Sequence, residues 1–226
     1  VIPSLRAGTK PIYAPIPTLT KYLIYRTVMQ MRFKLFGTEI YISFLFSAVI
    51  TAMLAFDRTG YVLPLLFAVA MHEAGHLTAM WVTGCAPKRI KLVPAAVEKS
   101  TGIGCEKHAV TVALCGPAVN IILFLTLWFN YAAFGNEMSL WCALINLIIG
   151  VFNLLPVTGL DGGTVLECLL IRKTHFMRAR LVMRIINLGF AAAAAALGVT
   201  LAFMGRFNLS FFIFALYLTV MSLIKI

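Results

Sequence analysis

What most constrains this chain is a series of six apolar runs, at roughly 40–56, 61–82, 109–131, 140–155, 181–204 and 207–224. Each approaches the roughly 20 residues that carry a helix across a hydrocarbon core, with the first and fourth the shortest. The composition agrees: 61% of residues are hydrophobic and 12% charged, with a mean hydropathy of +0.94. Soluble domains are typically about 45–50% apolar and roughly 25% charged. The expectation is an all-α polytopic membrane protein, with about six transmembrane helices and a short membrane-proximal β-hairpin or strand after the second span. No internal repeat is visible, which argues against an architecture of duplicated transporter halves.

Charge placement gives an orientation. Of the 19 Lys and Arg residues, all but Arg58 and Arg206 fall in the N-terminal arm, after the second run, around the start of the fifth, or at the chain's last positions. Basic residues are retained on the cytoplasmic side, so both termini of this integral membrane protein are expected there. The same distribution accounts for a net charge of +11 without a nucleic-acid partner. Five cysteines (Cys85, Cys105, Cys115, Cys142 and Cys168) show no short paired spacing, and reduced thiols are expected. Residues 1–30 carry Pro3, Pro11, Pro15 and Pro17 among scattered basic residues, and read as a poorly ordered extension to a domain over 31–226.

The second run contains His72, Glu73 and His76, the pattern H-E-x-x-H, in a stretch otherwise almost free of polar groups. Positions four apart share a helix face, so both imidazoles can hold one metal ion, expected to be a single Zn²⁺. Glu73 projects about 100° around the helix, beside the ion, where it can take a proton from water as a general base. Ionisable groups at membrane depth cost on the order of 3 kcal/mol each on insertion scales. A bound metal offsets that cost.

A catalytic zinc site normally takes three protein ligands and leaves one position open. Candidates for the third are Glu98, Glu106, His108, Glu137, Asp161, Glu167 and His175. Runs two and four traverse the membrane in the same direction, which puts Asp161 at the level of the histidines and Glu137 on the far side. The context of Asp161, FNLLPVTGLDGG, has Pro156 to end a helix and glycines at 159, 162 and 163 to turn the backbone. The competing reading of Asp161 is a helix N-cap.

Together, HEAGH in one run and NLLPVTGLDGG after a later one resemble the site-2 protease family of intramembrane metalloproteases, over residues 31–226. The six-run layout is most similar to the sporulation-type branch, typified by stage IV sporulation protein FB. The resemblance implies His72, His76 and Asp161 as zinc ligands, Glu73 as the catalytic base, and Asn120 and Asn153 as substrate-binding residues. For Asn120, in CGPAVN, interhelical hydrogen bonding is the competing role. It also implies a membrane-associated protein substrate cut within or beside the bilayer, releasing a regulatory protein. A homo-oligomer or an inhibitory membrane partner is compatible with it. Residues 83–108 are too few for the PDZ domain of some relatives, and no CBS domain is expected. In residues 88–93 basic Arg89 and Lys91 alternate with Ile90 and Leu92, the period of a strand whose free edge could hold an extended substrate. A basic loop at lipid phosphates is the other reading. Two further alternatives are a membrane zincin of the CAAX-protease kind, with a Glu as third ligand, and a zinc transporter or catalytically inactive metal-binding membrane protein.

Overall fold

The computed structural model describes residues 30–35, 38–93, 96–100, 105–205 and 209–224. Apart from Gln30, the N-terminal extension lies outside them.

The chain enters through two strands, β1 (Gln30–Leu35) and β2 (Thr38–Ser43). Both alternate in sequence: Met31, Phe33 and Leu35 against Arg32 and Lys34, then Ile40 and Ile42 against Glu39 and Tyr41. β1 and β2 pair antiparallel with Arg32 opposite Tyr41 and Lys34 opposite Glu39. Helices α1 (Phe44–Ala55) and α2 (Val62–Val82) then run out and back. The chain returns as β3 (Arg89–Val93), parallel to β2, and turns into β4 (Ala96–Ser100), antiparallel to β3. The result is a four-stranded sheet in the order β1-β2-β3-β4. On the polar face, Glu39 receives Arg32 at 2.6 Å and Arg89 at 3.3 Å, and the Tyr41 hydroxyl at 2.9 Å. The Tyr41 hydrogen bond, followed by that from Arg32, holds the Glu39 carboxyl below its ordinary range.

This sheet corrects three expectations. The protein is mostly helical but not all-α. The apolar run at 40–56 is not one span, because residues 40–43 belong to β2 and leave α1 only 12 residues. At 1.5 Å per residue that is about 18 Å, short of a roughly 30 Å core. And β3 has no free edge, since β2 and β4 occupy both sides of it.

A 3-10 turn (Cys105–His108) leads into α3 (Ala109–Phe134), followed by α4 (Glu137–Asn153). Gly135, at φ 66°, closes α3, and the Asn136 side chain accepts from the Met138 amide to open α4, so two residues reverse the chain. Then come α5 (Asp161–Lys173), α6 (Phe176–Phe203) and α7 (Leu209–Ile224). Among the described residues three helices are long and apolar enough to cross a membrane: α2 with 21 residues, α3 with 26 and α6 with 28. α1, α4 and residues 211–220 of α7 form shorter apolar helices. Outward-facing side chains such as Phe129, 68% exposed, Ile148, 65%, and Leu216, 65%, suit hydrocarbon and not water. The molecule is an integral membrane protein.

Small residues set how closely α2 and α3 approach. A Cβ on Gly75 would lie 2.7 Å from the Cys115 carbonyl oxygen, so only glycine fits there. The expectation of reduced thiols fails at one pair: Cys85, just past α2, is disulfide-bonded to Cys105, just before α3. The bond ties the ends of these two helices across the β3–β4 hairpin. Cys115, Cys142 and Cys168 take part in no disulfide. A separate apolar cluster of Val157, Ala191 and Leu218 seats the α4–α5 connection against α6 and α7.

Candidate metal centre

His72 and His76 face α3 from one side of α2, each 5% exposed. Their outer nitrogens are both engaged by acceptors. His72 Nδ1 donates to Asn120 Oδ1 at 2.7 Å, and His76 Nδ1 to the Val112 carbonyl at 2.8 Å. The orientation of the Asn120 amide follows from its other bonds: Nδ2 donates to the Ala68 carbonyl at 3.2 Å and to Asn146 Oδ1 at 3.0 Å. Asn146 in turn donates to the Cys142 carbonyl at 2.9 Å. With Nδ1 carrying the proton on each ring, both Nε2 atoms present bare lone pairs.

Those lone pairs point at each other, 3.2 Å apart. Asp161 Oδ2 completes a triangle, 3.0 Å from His72 Nε2 and 3.3 Å from His76 Nε2. That oxygen is buried and has no hydrogen-bond donor. In that tautomer three electron-pair donors converge, an arrangement that suits a cation. A tetrahedral zinc with bonds of about 2.0–2.1 Å sets its ligands roughly 3.3 Å apart, so the triangle fits one ion with a fourth position open. Gly116 floors the cradle: a Cβ there would stand 2.5 Å from His76 Cε1 and Nε2 and 3.0 Å from His72 Cε1.

Glu73 lies beside the pair, its carboxylate within 4.8 Å of the imidazole nitrogens, in a His-Glu-His group able to hold a metal ion. Asp161 is the first residue of α5, yet the helix-cap reading does not describe it, because Leu160 is the N-cap and no side-chain cap bond is made. Gly159 turns the backbone at φ 98° just before it. Side chains at Gly162 and Gly163 would collide with the carbonyl oxygens of Leu154 and Val157. The two glycines after the aspartate therefore let α5 start hard against the connection that precedes it.

Asn120 is fully buried and bonded to His72, whereas half-buried Asn153 ends α4 and donates to the Ile149 carbonyl at 2.9 Å. Glu137 opens α4 at the opposite end from Asn153. Sequence reasoning passed over Asn146 and Asn187, both within apolar helices. A lone amide in such a run is the signal that could have found them.

Fold and site together define a class: a helical membrane protein with a buried cluster of two histidines and a carboxylate, able to hold a metal ion, and an adjacent glutamate. Comparison with known proteins agrees. Residues 130–196 match the model of Peptidase family M50. A zinc metalloprotease of Methanocaldococcus jannaschii is 25% identical over 159 residues, covering 65% of this chain and 47% of that protein. A Synechocystis relative is 33% identical over 149 residues, covering 59% of this chain and 38% of its own. The chain thus spans less than half the length of these curated relatives. The solved site-2 protease of M. jannaschii shares the fold, with a TM-score of 0.62 at 22% identity over 84% of this chain and 92% of that one. The resemblance to the site-2 proteases drawn from the two motifs therefore stands.

Proposed function

We propose that this chain is an intramembrane zinc metalloprotease that hydrolyses peptide bonds of membrane-associated proteins within or next to the bilayer. The observation that carries the reading is the triangle of unprotonated donors, His72 Nε2, His76 Nε2 and Asp161 Oδ2, at 3.0–3.3 Å with Glu73 beside it. The names of the relatives support zinc as the ion and proteolysis as the reaction.

Bound zinc would supply a Lewis acid for the scissile carbonyl and acidify water at the site. Glu73 takes the proton of the attacking water and passes it to the leaving amine. Asn120 holds His72 in the tautomer that leaves Nε2 free, and the Val112 carbonyl does the same for His76. A transmembrane substrate hides its carbonyls in helical hydrogen bonds and must unwind locally before cleavage. Because β3 is an inner strand, an extended substrate would pair with an outer one, and β4 is the outer strand on the far side of β3 from β2.

The finer reading is a sporulation-type enzyme of a bacterial plasma membrane, its basic segments on the cytoplasmic side, that releases a regulatory protein. The charge distribution and the motif pair support it. Metal analysis of the purified chain with a cleavage assay tests the core claim. Glu73→Gln should keep zinc and lose cleavage, while Asp161→Ala and His76→Ala should lose zinc. Full cleavage by the Glu73→Gln chain would remove the mechanism.

A further inference from the structure

We infer that Asn187 is a positioning residue for the Asp161 carboxylate, an inference that rests on reading Asp161 as the third metal ligand. Asn187 sits on α6, 2% exposed, away from the histidines in sequence and on a different helix. Its amide grips one residue twice. Oδ1 accepts the Thr158 backbone N–H at 3.0 Å, and Nδ2 donates to Thr158 Oγ1 at 2.8 Å. Thr158, itself 5% exposed, lies three positions before Asp161 in the connection between α4 and α5.

Two features make this a matter of aim and not only of packing. Backbone outside a helix at membrane depth must have its polar groups satisfied by protein. Fully buried Val157 sets the depth of the connection by apolar contact with Leu218, but apolar contact has no preferred direction. The paired hydrogen bonds do, because they fix the amide plane and the side chain of Thr158 together. Between Thr158 and Asp161 stands Gly159, at φ 98° with no side chain to stiffen it. On the other side of Asp161, Gly162 and Gly163 are seated against the carbonyls of Leu154 and Val157. Asp161 is thus suspended between two anchors, and Asn187 supplies the one upstream of the glycine. Releasing it lets the carboxylate swing away while both histidines stay in place.

The test measures zinc affinity by chelator competition, and Co²⁺ absorption as a reporter of ligand geometry, on the full chain in detergent. Asn187→Leu, similar in size but without hydrogen bonds, should weaken zinc binding about 10-fold or more and change the cobalt spectrum. Thr158→Val, which removes one of the two bonds, should shift both readouts the same way by less, and answers the question should the Leu variant not fold. Thr158→Ser keeps the hydroxyl and should behave as wild type. Met183→Ala, a packing loss at another buried position of α6, should leave zinc affinity and the spectrum unchanged. Wild-type affinity and spectrum in both Asn187→Leu and Thr158→Val overturn the inference, as does an equal loss in Met183→Ala. Retention of zinc by His76→Ala would instead sink the metal-site reading itself.

Discussion

Gly116→Ala separates the metal site from the fold with a single methyl group. In a helix interior the change from Gly to Ala favours the helix by up to about 1 kcal/mol, which offsets part of the cost of displacing His76, so the fold should survive the change. The site fares differently. The new Cβ would stand 2.5 Å from His76 Cε1 and Nε2, about 0.9 Å inside the 3.4 Å of an ordinary contact. Retreat of α3 would open the close α2–α3 seam, where a Cβ on Gly75 would itself stand 2.7 Å from the Cys115 carbonyl oxygen. The imidazole must move, by a distance several times the roughly 0.2 Å within which metal–ligand bonds vary. That is a larger disturbance than loss of an outer partner, which typically costs 10–100-fold in metal affinity. Zinc binding weakened by about 100-fold or more is expected. Two measurements decide it: zinc competition with a chromogenic chelator, and thermal unfolding with and without excess chelator. Chelator should lower the Tm of wild type by more than that of Gly116→Ala. Wild-type zinc affinity in this variant would refute the placement of Gly116 beneath the ligands.

Three further outcomes follow from other contacts. Asn120→Leu frees His72 to change tautomer and leaves Asn146 without its donor, so zinc affinity should drop about 10–100-fold in the same competition assay; an unchanged value would deny Asn120 its orienting role. Glu39 has a folded pKa lowered by the Tyr41 hydroxyl and then Arg32, so its contribution to the sheet is complete above its ordinary pKa and lost as pH falls through the lowered one. Hydrogen-exchange protection of β2 should therefore fall with acidification below that ordinary pKa, and Glu39→Gln should flatten the profile. Alkylation of the denatured, unreduced chain should label three thiols, Cys115, Cys142 and Cys168, rising to five after reduction; five labels before reduction would exclude the Cys85–Cys105 bond.

The parts of the site legible in the sequence were those written in local spacing. His72 and His76 share a face because a helix repeats every 3.6 residues, and the glycines around Asp161 announce a turn whatever the rest of the chain does. The sheet was harder to see. Residues 40–43 join an apolar run without a break, so the strand pattern of β2 was absorbed into a supposed span. Nothing local announces that β2 pairs in parallel with a strand arriving after two helices. The disulfide joins cysteines 20 positions apart, too far for a spacing signal. Asn146 and Asn187 find their partners 26 and 29 residues away, and only the assembled bundle gives either amide its meaning.

The parallel pairing of β2 with β3 also bears on how the molecule is made. β2 has emerged from the ribosome before α1 and α2, but its neighbour emerges only after both. Both helices, including the spanning α2, must therefore have been made before the inner strands can zip together. Until then β2 and its β1 partner wait at the bilayer surface with an unsatisfied edge, and the zipping of that edge marks the point in biogenesis at which the histidine helix is secured.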